Sequence, residues 1–382
     1  MKKKKSVICT ALLLGVHTAW AQSSVTLYGL IENGVDFVNN SAGHTYTAMK
    51  DGAYTGIYGS RWGLVGREEL GGGLAAIFRI ESGFNTQNGA LGQGGLAFGR
   101  QAYVGLQSKD VGTVTAGRQY DSVVDFLQFA GTGSQVGGIA THASDIDNVG
   151  NSFRVNNAIK YMSPILGGVR VSGLVSLTDS QASNGPGRFG TWSAGGDYTY
   201  GGLHVAAAYL YAREPAQQFA DGHFVANTVG DAIGANGPWS YVGNPDNERI
   251  LGVGATYAFS SLTLAGLYTR TKFDGANGTQ GTVAFDNYDV SFRYLLTPAW
   301  KLIGGYLYTA GRIGYLNQKI EFHRVAAGID YSLSKRTEVY AVVAAQQATG
   351  DAKGADLYQG TEANMSSTNR QTGVRVAIIH RF

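Results

Sequence analysis

The 382-residue sequence has one cysteine, Cys9, within its first ten positions. Past that point no side chain can form a disulfide, a thiolate metal site or a cysteine nucleophile. Proline is scarce, with 6 residues in all, and there is no Gly-X-Y period, which excludes collagen. No run of 18 apolar residues occurs, so no helix spans a bilayer. Charged residues make up only 15%, against a usual quarter. General disorder is excluded by 22 Tyr, 16 Phe and 5 Trp. Glycine is abundant instead, at 56 residues, about twice its usual share. Mean hydropathy is near zero, at −0.08. Glycine, tyrosine and valine with little proline point to long β-strands.

Residues 1–21 have the pattern of an export signal. Lys2 to Lys5 form a charged start, Val7 to Val16 an apolar core, and Ala19-Trp20-Ala21 a small-x-small cleavage site. The apolar core is too short to anchor in a membrane. Without these residues the chain keeps 26 Lys and Arg against 27 Asp and Glu, so the formal charge moves from +3 to −1. Cys9 leaves with the leader. A cysteine-free exported chain, 22–382, needs another stabilising device, and a closed hydrogen-bonded barrel is one.

Alternating segments run through 25–38, 54–67, 74–83, 97–107, 112–119, 154–162, 168–177, 191–200, 202–213, 248–259, 262–273, 284–296, 300–312, 320–333, 336–348 and 370–382, sixteen in all. Compact punctuation such as Gly71-Gly72-Gly73, Gly167-Gly168 and Gly201-Gly202 alternates with longer connections, of which 120–153 and 214–247 are the longest. Short turns at one end and long loops at the other, with an even strand count, is the layout of an outer-membrane barrel. The faces alternate accordingly. In 320–333, Val325, Ala327, Ile329, Tyr331 and Leu333 oppose Arg324, Ala326, Gly328, Asp330 and Ser332. A soluble sandwich also alternates, but its packed core does not tolerate small residues mixed with charge as a wet lumen does. The expectation is an all-β, antiparallel, transmembrane β-barrel.

Several stretches add specificity. Ser23-Ser24-Val25-Thr26-Leu27-Tyr28-Gly29 opens the exported chain, and Ser60-Arg61-Trp62-Gly63 precedes Glu68-Glu69-Leu70-Gly71-Gly72-Gly73-Leu74. Glu81-Ser82-Gly83-Phe84, Arg100-Gln101-Ala102-Tyr103-Val104-Gly105-Leu106, Gly117-Arg118-Gln119-Tyr120, Arg154-Val155-Asn156-Asn157 and the final Phe382 follow in order. Together they resemble the trimeric general porins of the betaproteobacterial outer membrane, over the whole exported length. The resemblance implies a sixteen-stranded barrel, a homotrimer, and a third loop, 120–153, folded into the pore as a constriction. It singles out Arg61, Arg100 and Arg154 as a basic cluster, with Glu81 and an early loop aspartate, Asp121 or Asp125, as acidic partners. Arg79 departs from the family, which more often carries an uncharged polar residue there. The resemblance also implies outer-membrane lipid and lipopolysaccharide as surroundings, and recognition of Phe382 by the barrel-assembly machinery.

Pore selectivity depends on the charges at the narrowest point. By strand parity Arg61, Arg67, Arg79, Glu81, Arg154, Lys160 and Arg170 face the lumen, whereas Arg100 shares parity with Val104 and Leu106 and needs a bulge to do so. The 120–153 segment carries Asp121, Asp125, Asp145 and Asp147 and no Lys or Arg, so a basic wall facing an acidic loop is expected to set up a transverse field. The alternative role for the arginines is to pin the loop by ion pairs. No cofactor is expected, because the histidines are scattered and neither G-x-S-x-G, Walker A nor a dinucleotide fingerprint is present. Asp145-Ile146-Asp147-Asn148-Val149-Gly150 mimics the start of a calcium loop, but Val149 and Asn156 stand where ligands belong. No basic patch supports nucleic-acid binding. The reading is a non-enzymatic diffusion channel for small hydrophilic solutes, biased toward anions. A solute-specific channel of the same fold, for phosphate or organic acids, is the alternative, and an outer-membrane barrel enzyme lacks a recognisable catalytic set.

Overall fold

The computed structural model describes residues 24–53, 55–177, 189–222, 224, 233, 239–357 and 364–382. The expected leader, 1–21, lies outside them. Seventeen strands form one antiparallel sheet: β1 (Ser24–Ser41), β2 (His44–Asp51), β3 (Arg61–Gly71), β4 (Leu74–Gly83), β5 (Gln101–Ser108), β6 (Gly112–Gln119), β7 (Val155–Met162), β8 (Val169–Leu177) and β9 (Phe189–Tyr200) make the first part. The second part is β10 (Leu203–Arg213), β11 (Asn247–Phe259), β12 (Leu262–Asp274), β13 (Thr282–Leu295), β14 (Trp300–Ile313), β15 (Gln318–Ser332), β16 (Thr337–Gly350) and β17 (Arg370–Arg381). From β3 onward each strand pairs with the next in sequence, β1 pairs with both β2 and β3, and β1 pairs with β17, so the sheet closes on itself.

Seventeen segments make sixteen staves because the second stave is split. The upper part of β1 pairs with β2 and its lower part with β3. The sequence reading ran one strand through 54–67 and did not foresee β2. Residues 55–60 instead leave the sheet, because the carboxylate of Glu32 on β1 takes backbone amides there, from Ile57 at 3.2 Å and Tyr58 at 2.7 Å. A Cβ at Gly56 would lie 1.7 Å from Glu32 Oε1, so only glycine fits that approach. Likewise 97–100 precede β5 rather than belonging to it. The turn at Gly71, Gly72 and Gly73 has φ of +88°, +59° and +78°, values other residues rarely adopt.

The alternation sorts by environment. On β13, Tyr288, Val290 and Phe292 are exposed on the outside while Asp289 and Ser291 are buried inside. On β15, Val325 and Ile329 face out, and Arg324, Ala326 and Asp330 face in. A soluble protein would not present such an apolar outer surface around a polar interior; a lipid-embedded barrel does.

The seam is fastened from inside. Arg375 of β17, fully buried, donates to Asp36 at 2.8 Å, Glu32 at 3.2 Å, Thr55 at 2.9 Å and the Tyr340 hydroxyl at 2.8 Å. One guanidinium thus ties β17 to β1, β16 and the inturned 55–60 segment. Removing it leaves two buried carboxylates unpaired, a change that typically costs about 3–5 kcal/mol. Arg375→Leu should therefore lower the urea midpoint of the detergent-folded barrel markedly. Adding Glu32→Gln and Asp36→Asn should restore part of the loss, whereas an unchanged midpoint for Arg375→Leu alone would refute the seam role.

Candidate functional site

The segment 120–153 lies inside the barrel. Its first helix, α1 (Ser122–Leu127), is capped by Asp121, whose Oδ1 accepts the amides of Val123 at 2.7 Å and Val124 at 3.3 Å. Val123, Phe126 and Leu127 are buried in one cluster with Leu174 of β8, Ala206, Ala208 and Leu210 of β10 and Ile250 of β11. This apolar contact explains why the segment folds inward: on a solvated loop those side chains would stay in water. A second short helix, α2 (Gly133–Val136), leads to Ile139 and Ala140, which bury against Ile303, Ala326, Tyr340 and Val342. The chain then returns along β12 and β13.

Polar pins follow the same route. Lys160 of β7 holds Asp125 at 2.7 Å, and the Arg170 guanidinium lies 5.5 Å from the Phe126 ring centre. Thr132 donates its amide to Asp289 of β13 at 2.7 Å, and Arg324 of β15 donates to the carbonyls of Ile139 and Thr141 at 3.2 and 2.5 Å. Gly138 and Ile139 donate to the carbonyls of Gly56 and Thr55. The loop therefore lines β8–β15 and meets the 55–60 segment.

The arginines stand on the other wall. Arg61, Arg79, Glu81, Arg100 and Arg154 come together around Tyr28 and Tyr120. Arg100 Nε donates to Glu81 Oε1 at 2.6 Å and its second terminal nitrogen to the Tyr120 hydroxyl at 3.1 Å, while Tyr28 donates to the other Glu81 oxygen at 2.7 Å. The Arg79 guanidinium lies 5.6 Å from the Tyr28 ring centre, Arg154 5.7 Å from Tyr120, and Arg61 5.8 Å from Tyr58. Such stacking orients a guanidinium without neutralising it. Arg100 needs no bulge to join them: β5 begins at Gln101 and its pairing with β4 is unbroken, so strand parity does not govern residue 100. Arg118, whose part sequence reasoning missed, is paired with Asp221 at 2.8 Å, a partner 103 positions along the chain that no local pattern reveals.

Charge on this wall is unbalanced. Arg100 is matched by Glu81 and Arg118 by Asp221, but Arg61, Arg79 and Arg154 form no ion pair with a carboxylate among the described residues. The Nε donors of Arg79 and Arg154 have no acceptor among them either.

The loop aspartates do not face the arginines, which corrects the expected transverse field. Asp121 is fully buried as a helix cap and also accepts from Asn148 at 2.7 Å. Burial pushes its carboxyl up to about 6, against the pull of the Val123 and Val124 amides. Asp125 is matched by Lys160. Asp145 accepts from the Gly150 and Ser152 amides and the Ser152 hydroxyl at 2.6–3.0 Å, so its calcium-like motif closes on itself as a turn. Asp147 accepts from His142 Nδ1 at 2.6 Å and from the Thr269 hydroxyl, and His142 Nε2 lies 3.7 Å from Asp289. His142 and Asp147 thus latch the returning arm of the loop to β12 and β13.

This geometry can be set beside known proteins. The model of the Gram-negative porin family matches residues 9–351, and the chain belongs to that family. An outer membrane porin protein of Bordetella pertussis is 34% identical over 304 residues, covering 73% of this chain and 72% of that one. Outer membrane porin protein 32 of Delftia acidovorans is 29% identical over 99% of this chain and 100% of its own. Among solved structures, an anion-selective porin from Comamonas acidovorans superposes with a TM-score of 0.73 at 24% identity, over 94% of this chain and 100% of that one. The trimer form of OmpT of Vibrio cholerae follows the same fold, with a TM-score of 0.66 at 15% identity over 94% and 99%. The chain is an outer-membrane porin, a channel rather than an enzyme.

The latch carries a pH dependence. Burial disfavours charge on His142, but Asp147 outweighs it and raises the imidazole above its usual value. Burial and the neighbouring Asp147 push Asp145 up to about 7. Both groups bind protons more tightly in the folded loop than in an opened one. For a raised histidine the stabilisation is complete below about 6.5 and fades as pH rises through the folded value. For a raised carboxyl the ionised form is disfavoured, so stability also falls as pH climbs from about 4 to about 7. Amide hydrogen-exchange protection of 141–149, corrected for intrinsic rates, should rise as pH drops from 8 to 5.5. His142→Gln should flatten that rise, and protection that falls on acidification would contradict the latch.

Proposed function

We propose that this porin favours anions among the small hydrophilic solutes it passes, and that it works as a homotrimer. The observation that carries the anion reading is the uneven burial of charge. The loop carboxylates are consumed by caps, turns, Lys160 and His142, while three wall arginines, Arg61, Arg79 and Arg154, have no carboxylate partner among the described residues. An ion passing at about 4 Å from one unpaired charge gains about 1 kcal/mol even at the dielectric constant of water. Since 1.4 kcal/mol is tenfold, one such contact changes local anion occupancy about fivefold. The anion-selective neighbour shares this fold at 24% identity, and the trimeric neighbour is the precedent for assembly. The terminal Phe382, paired with Gly29 through both backbone bonds, is the proposed signal for the barrel-assembly machinery.

The reversal potential of the purified protein in a planar bilayer under a KCl gradient tests this reading. Chloride should be preferred at about 0.1 M salt and less so at about 1 M, where the screening length shrinks from about 10 to about 3 Å. Arg61→Ser with Arg154→Ser should shift the potential toward potassium. A wild-type channel that already prefers potassium would show that the arginines serve only to hold the loop. Unboiled gels should show a species near three times the mass of the exported chain; a single monomeric band in mild detergent would overturn the trimer.

A further inference from the structure

The other long connection, 214–247, also enters the barrel, and it brings a carboxylate to the arginine wall. Its opening turn, α3 (Pro215–Gln218), is tied to β9: the Thr191 hydroxyl donates to Gln218 at 2.8 Å, and Gln218 donates to the Gly190 carbonyl at 3.1 Å. Phe219 is fully buried and stacks on Phe153, with ring centres 3.8 Å apart. A Cβ at Gly222 would lie 2.5 Å from the Ser152 carbonyl oxygen, so the chain runs hard against the end of the constriction loop. The far arm is anchored on another wall, where Trp239 is buried with its ring 5.7 Å from Phe285 of β13 and 5.5 Å from Phe322 of β15. Apolar burial at both arms thus holds this connection in the barrel.

Asp221 lies between Phe219 and Gly222, and its partner is presented by a bulge. On β6, Val114 and Ala116 are exposed on the outer face, and strict alternation would send Arg118 the same way. The register with β7 shifts between Gly117 and Gln119, with Gly117 at a φ of +137°, and Arg118 is buried instead. Its Nε donates to the Gly99 carbonyl at 2.7 Å and one terminal nitrogen to Asn156 at 2.6 Å, leaving the other for Asp221 at 2.8 Å. This guanidinium is within electrostatic reach of Arg154 and so belongs to the same wall.

The pair does not serve to hold the connection. Asp221 Oδ1 is buried with no partner among the described residues, so the carboxylate is spent on Arg118 alone. Arg118 in turn keeps two neutral acceptors, Gly99 and Asn156, whether or not Asp221 is charged. A paired charge offers a passing ion only a dipole, whereas a single one acts at full strength. We propose that Asp221 is a specificity-determining residue: a counter-ion carried in on 214–247 that masks Arg118 and so sets how many wall guanidiniums an anion meets. The proposal rests on the anion reading above for the path the ions take.

The test is the reversal potential of the purified protein in a planar bilayer under a KCl gradient at about 0.1 M, with heat-modified gel migration verifying folding. Asp221→Asn keeps the size of the side chain and should raise the chloride-to-potassium permeability ratio by up to about fivefold, the effect of one unpaired charge at contact distance. Arg118→Gln should lower the ratio, the double variant should return to the wild-type value, and Asp221→Glu should stay near it. Single-channel conductance of Asp221→Asn at about 1 M KCl, where charge is screened, should match wild type, because Phe219 and Trp239 still anchor the connection. An unchanged potential in Asp221→Asn would overturn the proposal, as would a double variant that keeps the single variant's shift. A shift accompanied by larger conductance at high salt would also overturn it, showing release of the connection rather than unmasking of Arg118. Failure of the anion reading shows separately, as potassium preference in the wild type; a move of that channel toward chloride in Asp221→Asn would still support the masking.

Discussion

Every backbone N–H and C=O within a bilayer must find its partner inside the chain, so a sheet that lies in lipid has to close. The strand β1 bears most of that demand, pairing along its length with β17, β2 and β3. Closure in turn forces inward-facing side chains together, and at the seam it buries Glu32, Asp36 and Arg375. Their mutual pairing draws in residues 55–60, and those give the far arm of the inserted loop carbonyls to bind. The position of the loop thus traces back to how the barrel shuts.

Once the loop is on β8–β15, the distribution of charge follows. Each loop aspartate is matched: by helix amides, by turn amides, by Lys160 or by His142. Matching those four takes their charge away from permeating ions. The arginines of the opposite wall stack on tyrosines, which positions them but cancels nothing. The sign of a lumen is set by which charges stay unmatched along it and not by the net charge of the chain.

Much of this was legible in the sequence. The period-two faces of β13, β15 and β17 come from side chains meeting lipid or lumen one at a time, a local signal. The glycine turns reflect backbone angles that only glycine adopts easily, also local. Arg61, Glu81, Arg100 and Arg154 meet because they flank short strands in the family's order. What could not be read depends on distant partners. Residues 54–60 alternate well enough to pass for a strand, yet Glu32 and Arg375, 343 positions apart, decide otherwise. The sign of the loop's charge was plain, but its direction depended on Lys160, Thr269 and Asp289 across the barrel. Arg100 was misplaced by parity because its strand starts one residue later.

The proposed selectivity rests on permeating ions meeting guanidinium groups, of which Arg100 is held back by Glu81. Glu81→Gln releases Arg100 from its 2.6 Å ion pair without touching the loop aspartates. The most direct measurement is therefore the reversal potential of this variant beside wild type in one KCl gradient at low salt. A further shift toward chloride is predicted. An unchanged potential, or a shift toward potassium, would contradict the account.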